Sequence, residues 1–94
     1  MKSDERLSAA GLESFERSLA RAVDSARSLE QIEAWLKSHQ FVRSVHRADY
    51  LLKSNPPQRD IIVELEMADG STTRKVVNVF SLGDEQFRFR QLRD

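Results

Sequence analysis

His39 and His46 are the only imidazoles in the chain. A helical zinc motif sets two histidines one turn apart, and a catalytic histidine needs a partner that orients it. These two stand seven positions apart, one near a helix end and one in a strand, and match neither arrangement. The simpler roles are a cation at the negative end of a helix for His39 and an exposed strand side chain for His46. The chain has no cysteine, which excludes disulfides, thiolate nucleophiles and Cys-based metal sites. No metal and no cofactor are expected.

Nucleophile and phosphate chemistry find as little support. No serine sits in a G-x-S-x-G elbow, and Ser54, ahead of Asn55-Pro56, reads as a turn former. Gly11, Gly70 and Gly83 are scattered, so no glycine-rich loop cradles a phosphate. Glu64 and Glu66 share one strand face, the spacing of an acid/base pair. Opposite Arg74 and Lys75 they read instead as cross-strand charge partners. The expectation is a protein that is not an enzyme.

Arg88 and Arg90, with Arg74, suggest a basic stripe on an outer sheet face. Sheets that bind RNA set such charges among exposed aromatics, whereas Phe87 and Phe89 alternate out of phase with the arginines. Fifteen Lys and Arg balance fifteen Asp and Glu, so no net charge draws a polyanion from a distance. Nucleic-acid binding through the outer sheet face is therefore the alternative, ranked behind protein binding.

The elements that position these residues follow from hydrophobic periodicity. A chain of 94 residues forms one domain. Residues 1–8 lack periodicity and are expected to be disordered, leaving a single domain over 9–94. Leu12, Phe15, Leu19, Ala22, Val23 and Ala26 recur at helical spacing. Ser28 followed by Gln31 is a capping box, so a break falls near Arg27 and a second helix begins. Leu29, Ile32, Trp35 and Leu36 form its buried stripe, which ends near His39, with Trp35 as a core anchor.

After Gln40 the period changes to two. A first strand from Val42 to Leu52 carries a phase change that predicts a bulge between His46 and Ala48. Residues 53–60, with Pro56 and Pro57, form a loop. Ile61 to Met67 is the cleanest strand, and Asp69-Gly70 turns it back. A three-residue turn with a bulged glycine sets Val77 opposite Ile61 and Arg74 beside Glu64. Gly83-Asp84-Glu85 turns the chain again into a last strand from Gln86 to Leu92. Phe80 and Leu82 are left needing cover of their own.

The predicted architecture is α+β, two N-terminal helices packed on one face of a four-stranded antiparallel meander sheet. Its expected core is Leu12, Phe15, Leu19, Trp35, Leu36, Val63, Leu65, Val77, Val79, Phe87 and Phe89. No apolar h-region and no membrane-length run occurs in the sequence, so a cytoplasmic protein without a membrane partner is expected.

The function expected from these features is a small noncatalytic protein-interaction module: an adaptor, an inhibitor or a self-associating subunit. An open sheet has two edges that accept another strand, here the first strand and the last, so a protein partner or a second copy is expected to pair at an edge. The proline loop adds a contact surface whose ordering cost is low. Asn55, Pro57, Arg59, Arg88 and Arg90 are the candidate partner-binding residues.

Overall fold

Ser8 starts the first helix by accepting a hydrogen bond on Oγ from the Gly11 amide at 2.9 Å. The computed structural model describes residues 7–50 and 53–94. It contains α1 (Ala9–Ser25), α2 (Leu29–Lys37), β1 (Val42–Arg47), β2 (Gln58–Glu66), β3 (Thr72–Gly83) and β4 (Gln86–Arg93). The strands form one antiparallel sheet in the order β1-β2-β3-β4. Both helices lie on the same face, α1 against β4 and α2 against β1.

Leu7 and Ser8, ahead of the boundary expected at residue 9, are already tied to the domain. Leu7 is 6% exposed and bridges Met67, taking the Glu66 carbonyl with its amide at 3.0 Å. An apolar side chain sealing the end of the core explains why the chain is tied down there. The expected disorder of residues 1–6 lies outside the described residues, as does the expected end of the first strand at Leu52.

The capping box at the start of α2 forms with one variation. Ser28 Oγ accepts from the Gln31 amide at 3.1 Å, while Gln31 Oε1 accepts from the Arg27 amide at 2.7 Å, one residue ahead of the cap. Ala26 ends α1 in an extended conformation, so the two helices bend apart at 26–28. Arg47 then ties α2 to the sheet, donating to Glu33 at 2.8 Å and Glu30 at 2.7 Å. Those two carboxylates hold its guanidinium still more firmly protonated, and Arg47 in turn pulls the Glu30 carboxyl below its usual range.

Phe15, Leu19, Val23, Ile32 and Leu36 from the helices meet Ile61, Val63, Leu65, Val77 and Val79 from β2 and β3. Leu12, Trp35, Phe87 and Phe89 pack at the margin and are partly exposed, more peripheral than expected. Ile61 pairs with Val77 and Glu64 with Arg74, the register the three-residue turn requires. Gly70, at φ +89°, supplies the positive dihedral of that turn, and its amide donates to the Met67 carbonyl.

Irregular pairing sets the phase of both edge strands. In β1 the register shifts between Val42 and Ser44, so Arg43 is the extra residue. The expected bulge at His46 to Ala48 is therefore corrected: Val42 and Val45, three positions apart, share the helix-facing side only if the extra residue lies between them. In β4, Asn78 pairs with Gln91 while Val79 pairs with Phe89, which leaves Arg90 extra. That insertion sends Leu92 inward opposite Val77 and Arg93 outward opposite Val76.

The β3–β4 turn is made by Asp84 at φ +51° and Glu85 at φ +57°, left-handed positions occupied by residues with a Cβ. Replacing Glu85 by Gly is expected to stabilise the domain by about 0.5 to 1 kcal/mol in urea unfolding, the strain relief exceeding the added chain entropy. Gly70→Ala should have the opposite sign, a loss of about 1 to 2 kcal/mol, because the new Cβ meets the same steric limit.

Candidate functional site

The face of the sheet turned away from the helices contains a carboxylate closed off from water. Asp60 on β2 shares this outer face with its register partner Asn78 on β3, and its side chain is 0% exposed. Three donors surround it. Asn78 Nδ2 donates to Oδ1 at 2.7 Å, while the Tyr50 hydroxyl at 2.8 Å and Arg93 Nη2 at 2.6 Å both donate to Oδ2. A buried ion costs several kcal/mol of hydration, and a matched cation with full hydrogen bonding offsets that cost.

The network continues into the arginine stripe. Asn78 commits its amide nitrogen to Asp60, so its Oδ1 faces the other way and accepts from Arg90 Nη1 at 3.2 Å. The Arg90 guanidinium lies over the Phe80 ring, 5.9 Å from Cζ to the centroid. Phe80 pairs across the sheet with Arg88, which puts both on the outer face. Leu82, the extra residue where β3 shifts against β4, is 42% exposed at the same end.

The expected site residues divide between the two faces. Arg88 and Arg90 are exposed on the outer face beside Phe80. The proline loop borders them, because the Pro57 carbonyl accepts from the Ser81 amide at 2.8 Å and Asn55 and Pro57 are exposed next to that contact. Arg59 pairs with Val79 and so lies on the helix-facing side of the sheet, away from the other four. Ser54 is a turn former, donating to the Pro56 carbonyl and accepting from Gln58.

The remaining candidates are held in structural roles. His39 Nδ1 lies 2.9 Å from the Trp35 carbonyl, and its ring packs on Trp35, Phe15 and Phe41. His46 is exposed in β1. Glu66 bonds Arg43 at 2.9 Å, and Glu64 accepts from Ser44 Oγ at 3.1 Å while facing Arg74 in register. Among the described residues no group of three His, Asp or Glu is placed to hold a metal ion. No described helix is long and apolar enough to cross a membrane.

The outer face also has a shallow depression of about 370 Å³, floored by Ile62 and Val76 and rimmed by Tyr50, Arg74 and Asp94. A larger trough of about 470 Å³ runs along the seam of the helices past Ser18, Arg21, Gln31 and Trp35. Arg21 is the one ionisable group on that trough, whereas the outer face gathers five arginines, a buried carboxylate and two aromatics.

Tyr50 is the only tyrosine of the chain, so its titration is read without interference. Its hydrogen bond to Asp60, with burial and the Asp60 charge adding in the same direction, raises its pKa above the usual value. A folded-state value above the unfolded one gives stability that is full below the unfolded value of about 10 and is lost as pH rises through the folded value. Absorbance titration is expected to place Tyr50 above free tyrosine, and unfolding by denaturant should move it back. Tyr50→Phe is expected to cost about 1 to 2 kcal/mol and Asp60→Ala about 3 to 5 kcal/mol, since the second leaves Arg93 and Asn78 without their acceptor.

No known protein family, curated protein or solved structure matches the chain, so what this face does is argued from its own geometry.

Proposed function

We propose that the chain is a small noncatalytic protein-interaction module of the cytoplasm that works through the uncovered face of its sheet. The observation that carries this reading is the one-sided placement of the helices. They cover one side of the sheet, and the other keeps Phe80, Leu82, Arg88 and Arg90 together at one end, bordered by the proline loop. Aromatic and arginine side chains on a rigid backbone are the usual anchors of protein recognition. Adaptor and inhibitor roles both follow from such a surface.

Self-association draws on a different feature, the outer edge of β1. β1 and β4 are the two edges of the sheet, but the Phe89 amide of β4 already donates to Asp24 Oδ1 of α1 at 3.2 Å. A strand from a second copy therefore adds most readily along β1. A second reading, binding of single-stranded nucleic acid, is favoured by one observation: Phe80 shares its face with Arg88 and Arg90, the juxtaposition that Phe87 and Phe89 do not provide.

Photo-crosslinking from a benzophenone amino acid at Leu82 in the full chain, in cells, tests the first reading. A discrete protein adduct, lost when Arg88 and Arg90 are both replaced by Gln, is expected. Adducts to nucleic acid alone, or none at Leu82 while a probe on α1 captures protein, would remove the sheet face as the binding surface. Light scattering across a range of concentrations decides self-association, and mass doubling that Val45→Pro abolishes is the result expected of pairing along β1.

A further inference from the structure

We infer that the patch of Phe80, Arg88 and Arg90 binds a carboxylate-bearing extended segment of a protein partner, with the two guanidinium groups as the recognising elements. This rests on the protein-interaction reading above and names the chemistry of the partner.

Charge complementarity selects the occupant. On the outer face, Arg43 is paired with Glu66 and Arg93 with Asp60, and Arg74 faces Glu64 in register. Arg88 and Arg90 are cations in excess of these matches, and both stand at the Phe80 end of the sheet. The excess is local: Glu64 and Glu66 occupy the other end of β2, and the whole chain is neutral. A polyanion laid across the sheet meets those carboxylates, whereas a short acidic segment lies over the two arginines; Asp84 and Glu85, in the turn beyond them, line a hollow with Asp24 and Arg27 at the end of α1. The distribution therefore favours protein carboxylates over a nucleic-acid backbone.

Arg90 is pre-organised for this contact. Its place as the extra residue of the β4 bulge aims its side chain over Phe80, and its bond to Asn78 fixes the plane of the guanidinium. Asn78 is itself 1% exposed and fixed by Asp60. One Nη1 bond faces inward, and the remaining N–H groups of the fork are free to meet a carboxylate in two parallel bonds. A side chain already held by stacking and by a buried amide loses little further freedom on binding. Arg88, directly across from Phe80, supplies the second cation.

The test is a titration of the 15N-labelled full chain, followed by amide chemical shifts at low salt. Three probes are used: a capped decapeptide of alternating Glu and Val, the same peptide with Gln for Glu, and a thymidine decanucleotide. The acidic peptide is expected to shift amides around Phe80, Arg88 and Arg90 in a saturable way that weakens with salt. The Gln peptide is expected to bind about tenfold more weakly or worse, matching the loss of one charge-assisted bidentate contact.

Arg88→Gln changes an exposed side chain and keeps the fold testable if Arg90→Gln loosens the network. Either substitution is expected to weaken the acidic peptide about tenfold, and Arg90→Lys, which keeps charge but not the fork, by a similar factor. Equal binding of the Gln peptide, shifts confined to β1 or the helices, or no shift with the acidic peptide at millimolar concentration would each overturn the inference. Those outcomes leave the module reading open, because crosslinking at Leu82 tests it without assuming the partner's charge. Tighter binding of the oligonucleotide than of the acidic peptide overturns the carboxylate inference and turns the face over to the nucleic-acid reading.

Discussion

A carboxylate with no contact to solvent is the constraint around which the open side of this sheet is arranged. Asp60 loses its hydration on folding, and it recovers the difference only when Tyr50, Asn78 and Arg93 reach it together. Those partners come from the segment after β1, from β3 and from β4. One side chain thus coordinates three parts of the chain that share no sequence proximity. A slip of one residue in β2 would turn Asp60 into the apolar layer and Ile61 into solvent, so polar matching outside and apolar burial inside specify the same register independently. Agreement between two unrelated requirements is what gives a small domain a single native pairing.

The chain's gross plan was legible because its periodicities are strong. The helical stripe through Phe15, Leu19 and Val23, the Ser28-Gln31 cap and the alternation of Ile61, Val63 and Leu65 each correspond to an element in the structure. Both edge-strand bulges were legible in principle, but the one in β1 was expected too late and the one in β4 was not expected at all. Val42 with Val45, and Phe89 with Leu92, are apolar pairs three positions apart in extended chain, a spacing that period two forbids unless a residue is inserted. Giving weight to Ala48 and Tyr50 instead put the β1 bulge too late, since Tyr50 leaves the strand to bond Asp60.

The candidate site was less visible, for a physical reason. Asp60 and Asn78 are eighteen positions apart, and nothing local distinguishes a strand carboxylate that will be buried from one that will be solvated. Arg93 reaches Asp60 only because the bulge at Arg90, three residues earlier, turns it outward, and simple alternation from Phe87 and Phe89 does not show that bulge. Phe80, which had no assigned cover, gains it from Arg90, and so an aromatic joins the arginines that Phe87 and Phe89 had seemed to leave without one. Arg59 shows the converse. It precedes Asp60 by one residue, and strand geometry alone sends it to the other side.

Asp24 makes the two borders of the sheet unlike. By taking the Phe89 amide, in a strand whose ladder is already broken at Arg90, it leaves the sheet with one receptive border and one that is obstructed. Open-ended polymers need both borders, because each added molecule must offer a fresh place for the next. Pairing of the kind proposed above, β1 to β1, would use up the receptive border of each copy and stop at two, and the carboxylate that steadies α1 against β4 stands on the border such growth would need next.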